Sequence, residues 1–104
     1  MLFRFAINAG RLTQWSLEAD RKTFVYGYTD LLKIDLRPYL HKIEATTLIL
    51  AAALPFKEQV VTTMQSQYQA LKNKEIIIVD DSRHFIMFDR PDWFHKQVNS
   101  FIAL

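Results

Sequence analysis

The sequence predicts an α/β protein in which a helical N-terminal part is followed by a parallel β-α-β unit and a closing helix. Three observations predict it. Residues 47–53 form a continuous apolar run, of the length expected for a strand buried on both faces. Residues 75–79, beginning at Glu75, are β-branched through Ile76, Ile77, Ile78 and Val79, the composition that suits a pleated strand. Between them, residues 57–72 bring Val60, Val61, Met64, Tyr68 and Leu71 to one side of an amphipathic helix. Two consecutive strands joined by a helical crossover run parallel.

Taken in order, residues 7–17 read as a weakly patterned helix with Trp15 as its main apolar body. Asp20 stands where a helix N-cap belongs. Phe24, Val25, Tyr28, Leu31 and Leu32 then share one helical face, and Gly27 costs that helix about 1 kcal/mol relative to alanine. The segment Asp35-Leu36-Arg37-Pro38 ends it, because proline disfavours helical geometry at the preceding residue. The helical part is thus residues 1–42 and the β-α-β-α part residues 43–104. Pro55 closes the first strand. A polar loop, Asp80-Asp81-Ser82-Arg83-His84, follows the second. Pro91 opens the last helix at a favoured first-turn position, with Trp93, Phe94, Val98, Phe101 and Ile102 as its inward stripe and His95 on its outer face. Trp15, Trp93 and the phenylalanines are expected in the core.

Composition narrows the function classes. Half of the 104 residues are hydrophobic, and only 2 Gly and 3 Pro interrupt them, which describes an ordered chain. The formal net charge is +2 and the pI near 9.0. No dense Lys/Arg run accompanies this surplus, so neither nucleic acid nor an anionic membrane is an expected partner. The absence of cysteine removes disulfides and thiolate metal sites. The first ten residues, interrupted by Arg4 and Asn8, do not have the pattern of a secretory leader. The apolar run 47–54 is far below membrane-spanning length, and a cytoplasmic protein is expected. His41, His84 and His95 lack metal-ligand spacing. Asp80 and Asp81 offer too few oxygens for a hard cation and are read as solvated, or as partners of Arg83. Neither metal nor cofactor is expected.

Ligands in open parallel sheets gather at the carboxyl ends of the strands. The loops 53–57 and 80–89 therefore face the functional edge; taken alone, His84 in the second of them reads as a partly buried loop histidine bonded to Asp80 or Asp81, while its side chain is of the kind that moves protons near neutral pH.

The series Ile76-Ile77-Ile78-Val79-Asp80-Asp81-Ser82-Arg83-His84-Phe85-Ile86-Met87-Phe88-Asp89-Arg90-Pro91-Asp92-Trp93-Phe94 resembles the C-terminal segment of the α/β-hydrolases. In these, the last core strand leads through a short loop to the catalytic histidine, an apolar residue, an acidic residue, a proline and the final helix. Ile43-Glu44-Ala45-Thr46-Thr47-Leu48-Ile49-Leu50 is similar to the lead-in to their penultimate strand, with Thr46 where proline is frequent. The helical part resembles the end of their cap. The resemblance implies a Ser–acid–His triad with His84 as general base and then general acid, and a partial α/β-hydrolase fold. Leu54, Phe56, Phe85 and Met87 would line the site.

Two parts of that pattern are missing. There is no G-x-S-x-G nucleophile elbow, and Ser82, two residues before His84, is too close along the chain to serve as an independent nucleophile. The turn after the penultimate strand lacks the usual aspartate, leaving Glu58 as the candidate acid, in a first-turn position that also favours negative charge for structural reasons. The expected function is a C-terminal fragment that supplies His84 to a serine-type ester hydrolase site and is inactive alone. Its partner would be an N-terminal hydrolase segment, and its substrate a small acyl compound. The alternative is a non-catalytic interaction or oligomerisation module that associates through an exposed strand edge.

Overall fold

The computed structural model describes the backbone of residues 2–103 and the side chains of residues 8–103; of the leader reading, Arg4 lies outside the described side chains. The chain divides into two compact units, Met1–Asp35 and Leu36–Leu104. The 3-10 turn Arg37–Lys42, which contains Pro38, falls in the second. Helices and a parallel sheet in one chain place the protein in the general α/β class.

The first unit holds α1 (Leu2–Glu18) and α2 (Arg21–Lys33). α1 begins five residues before the expected start: nothing between Leu2 and Ala6 opposes helix, and Gly10 carries a cost without a break. Asp20 caps α2 as expected. Its carboxylate accepts hydrogen bonds from the Thr23 backbone N–H at 2.9 Å and the Thr23 hydroxyl at 2.7 Å. The hydroxyl first, and then the N–H, hold the Asp20 carboxyl below the usual 3.8. A depressed folded-state value means that this contribution is complete above the unfolded value and is lost as pH falls through the folded one. Helix content is therefore expected to fall on acidification below about pH 3.8, the unfolded reference. Asp20→Asn should remove that component from a circular-dichroism pH titration, and an unchanged acid limb in this variant would contradict the cap.

The apolar face of α2 is not buried. Phe24, Val25, Tyr28, Leu31 and Leu32 are all exposed, as is Trp15 on α1. The amphipathic spacing is real, but a helical face becomes core only where another surface covers it, and α2 has no buried residue.

The second unit contains β1 (Thr47–Ala52), α3 (Lys57–Gln67), β2 (Lys74–Val79), the short α4 (Ile86–Asp89) and α5 (Pro91–Ile102). β1 and β2 form a two-stranded parallel sheet in register from Thr47↔Lys74 to Ala52↔Val79. Their entry points are tied together: the Thr47 N–H donates to the Asn73 carbonyl at 2.9 Å, and the Asn73 amide donates to the Thr46 hydroxyl at 3.0 Å.

α3 ends five residues before the expected Lys72. The chain turns at residues 68–70, with the Leu71 N–H donating to the Tyr68 carbonyl at 3.0 Å. Leaving the helix drives Leu71 inward to 1% exposure. It joins Ala51, Ala53, Val79 and Ile86 in a small core. This core is thinner than expected. Residues 47–50 are half-buried rather than covered on both faces, since two strands and the elements around them offer too little cover. Ile102, expected in the inward stripe of α5, is 73% exposed, whereas Trp93, Phe94, Val98 and Phe101 are half-buried. Phe56 and Phe85, expected in the core, are exposed. Among the described residues no helix is long and apolar enough to cross a membrane.

Candidate functional site

The carboxyl ends of β1 and β2 carry the two loops expected to face the functional edge, and the backbone joins them. The Ala53 N–H donates to the Val79 carbonyl at 3.0 Å, and the Leu54 N–H to the Ser82 carbonyl at 3.1 Å. The first bond belongs to the last ladder pair, and the second ties the end of β1 to the loop that holds His84. The Leu54–Pro55 peptide bond is cis.

Two ion pairs add to this seam. Lys57 Nζ, at the start of α3, lies 2.9 Å from Asp80 Oδ2, and an Arg90 guanidinium nitrogen lies 2.8 Å from Asp81 Oδ2. Both aspartates are therefore engaged by cations from neighbouring elements. Lys57, Asp80 and Asp81 are exposed and Arg90 is partly exposed, so each pair stabilises by about 1 kcal/mol at most. Their consequence for the site is neutralisation of charge beside His84.

His84 is exposed in its loop. Its ring meets Phe85 edge-on, with centroids 4.8 Å apart and planes at 89°. Phe85 in turn lies 5.8 Å from the Phe88 ring. Among the described residues the imidazole makes no hydrogen bond to a carboxylate; Asp80, Asp81 and Asp89 are each committed elsewhere. Glu58 lies in the first turn of α3 and borders a shallow depression with Gln59, Thr62 and Thr63. No residue of the His84 loop borders that depression.

Leu54, Phe56, Phe85 and Met87 are all exposed. Leu54 reaches the loop of His84 through its backbone bond to Ser82, and Phe85 through its ring contact. Of the four, Phe85 alone makes a ring contact with His84 among the described residues; Phe56 and Met87 are exposed.

Three participants were not legible as such in the sequence. Ser82 is fully buried, and its hydroxyl donates to the Arg83 carbonyl at 2.9 Å. The Asp89 carboxylate accepts the Arg83 backbone N–H at 2.9 Å. Lys57 reaches across to Asp80. Asp89 stands in the quoted series as an acidic residue, but only the turn at α4 shows where its carboxylate goes. His41 and His95 are exposed and stand apart from this loop in the chain. Among the described residues no group of three or more His, Asp and Glu could hold a metal ion.

No family model, curated protein or solved structure matches this chain.

Proposed function

We propose that the chain is an α/β-hydrolase-like C-terminal segment that contributes His84 as general base, and then general acid, to a serine-type ester hydrolase site. The observation that carries this reading is a solvent-facing imidazole in the loop after the second strand of a parallel pair, at the carboxyl rim, where ligands bind in such sheets. The strand–loop–His–turn–Pro–helix order found there is the order that carries the sequence resemblance.

The neighbourhood of His84 is suited to an uncharged acyl group. Leu54, Phe56, Phe85 and Met87 offer apolar surface, and Asp80 and Asp81 are already paired. The chain contains no G-x-S-x-G elbow, so the serine and the oxyanion donors would come from an N-terminal hydrolase segment. Glu58, unpaired with His84, would serve as the acid only after rearrangement; a carboxylate from the complementing segment is the simpler source.

The test is hydrolysis of short p-nitrophenyl acyl esters by the chain alone and by the chain mixed with an N-terminal hydrolase segment bearing the elbow. The expected result is turnover in the mixture only. Turnover by the chain alone that survives His84→Ala would overturn the reading.

A second reading, a non-catalytic association module, is favoured by a separate observation. β1 and β2 each have one edge without a strand partner among the described residues, and parallel sheets are ordinarily covered and extended by further strands. Multi-angle light scattering should then report self-association in the micromolar range, whereas a monomer at high concentration would count against this second reading.

A further inference from the structure

We infer that Asp89 is a positioning residue for His84, acting through the backbone of Arg83. Arg83 immediately precedes the histidine. Its N–H donates to Asp89 Oδ2 at 2.9 Å, and its carbonyl accepts the Ser82 hydroxyl at 2.9 Å. Both main-chain polar groups of this exposed loop residue are therefore held by side chains of the protein rather than left to water. Asp89 fixes the peptide unit on the N-terminal side of Arg83 and Ser82 the one that leads into His84, so the two together limit the directions the imidazole can take.

The restraint closes a ring. α4 folds back on the loop, with the Phe88 N–H donating to the Phe85 carbonyl at 2.9 Å and the Asp89 N–H to the same carbonyl at 3.0 Å. Asp89 thus grips Phe85 through its backbone and Arg83 through its side chain, with His84 between them. The ring contact of His84 with Phe85 at 4.8 Å is formed inside this closed turn. Asp89 is half-buried, and its carboxylate makes no ion pair among the described residues. An anionic acceptor to a backbone N–H is among the stronger hydrogen bonds available to a loop. Ser82 anchors the other side: it is fully buried, and its own carbonyl takes the Leu54 N–H at 3.1 Å.

The consequence for catalysis rests on the role proposed for His84 above, but the placement is measurable without turnover. The experiment is NMR of the isotope-labelled full chain, comparing wild type, Asp89→Ala and Asp89→Asn. In Asp89→Ala the Arg83 amide should exchange about tenfold faster or more. The cross-relaxation between the His84 and Phe85 rings should weaken in this variant, with Leu71 and Val79 amides protected as before. Asp89→Asn retains an acceptor oxygen and should restore both signals. A His84–Phe85 contact unchanged in Asp89→Ala would overturn the inference. So would an Arg83 amide unprotected in wild type, a result that stands even if Asp89→Ala does not fold. Failure of the ester assay with these NMR results intact would sink the hydrolase reading and leave the positioning of His84 standing.

Discussion

Replacing His84 with alanine is expected to lower ester hydrolysis by the complemented chain by about 10²- to 10⁴-fold, the usual contribution of a positioned general acid–base. The loss should fall on kcat, because in the proposed role the imidazole acts on a proton in flight and does not bind the acyl group. His84→Gln should be as damaging: the amide occupies similar volume and forms hydrogen bonds, but it cannot take up and return a proton. Substitution of the exposed Phe56, at 63% exposure, by alanine should instead raise KM, as removal of an apolar contact made equally in ground and transition states does. This contrast separates chemistry from lining. A His84→Ala mixture that turns over at the wild-type rate would remove His84 from the mechanism.

Leu71→Ala is expected to be the most damaging single core truncation, costing about 2–5 kcal/mol. Two of the five buried apolar residues described in the second unit are alanines, Ala51 and Ala53, so Leu71, Val79 and Ile86 supply the bulk of its core. Leu71 is the largest fully buried apolar side chain among the described residues. Deleting three carbons there leaves a void whose lining loses its contacts, and neighbours this small have little with which to fill it. Domains commonly hold only about 5–15 kcal/mol in total, so the loss should be visible as a large drop in the urea midpoint. Lys72→Ala, at the adjacent exposed position, should leave the midpoint almost unchanged. A Leu71→Ala midpoint within error of wild type would show that the turn at residues 68–70 does not deliver this side chain to the interior.

The turn at residues 68–70 also shows where pattern reading falls short. Tyr68 and Leu71 continue the helical spacing of Val60, Val61 and Met64, so periodicity alone carries α3 through to Lys72. The helix stops at Gln67 because β2 must start at Lys74 in register with Thr47, and the chain needs those residues to reverse. Burial departs from the apolar pattern for a related reason. The apolar faces of α2 and β1 are written in the residues, but whether a face is covered depends on what lies against it. Phe24, Leu31 and Leu32 are exposed despite correct spacing.

The amino-acid sequence by itself determined the order of the four longer helices and the two strands; the 3-10 turn Arg37–Lys42 and the short α4, Ile86–Asp89, fall in segments that read as loop. Local chemistry is enough for that: β-branching in residues 76–79, Asp20 as a cap, Pro91 at a first turn, and a helix between two strands that makes them parallel. The resemblance of residues 76–94 to an α/β-hydrolase segment singled out His84, in a loop that such a strand places at the carboxyl rim. Only the tertiary structure decided what ties the loop around that histidine to its neighbours. The Arg83 N–H reaches a carboxylate six residues on, Asp81 pairs with Arg90, and Asp80 pairs with a lysine from the other strand's loop. Such pairings depend on distances set when separate segments pack, and no periodicity along the chain encodes them.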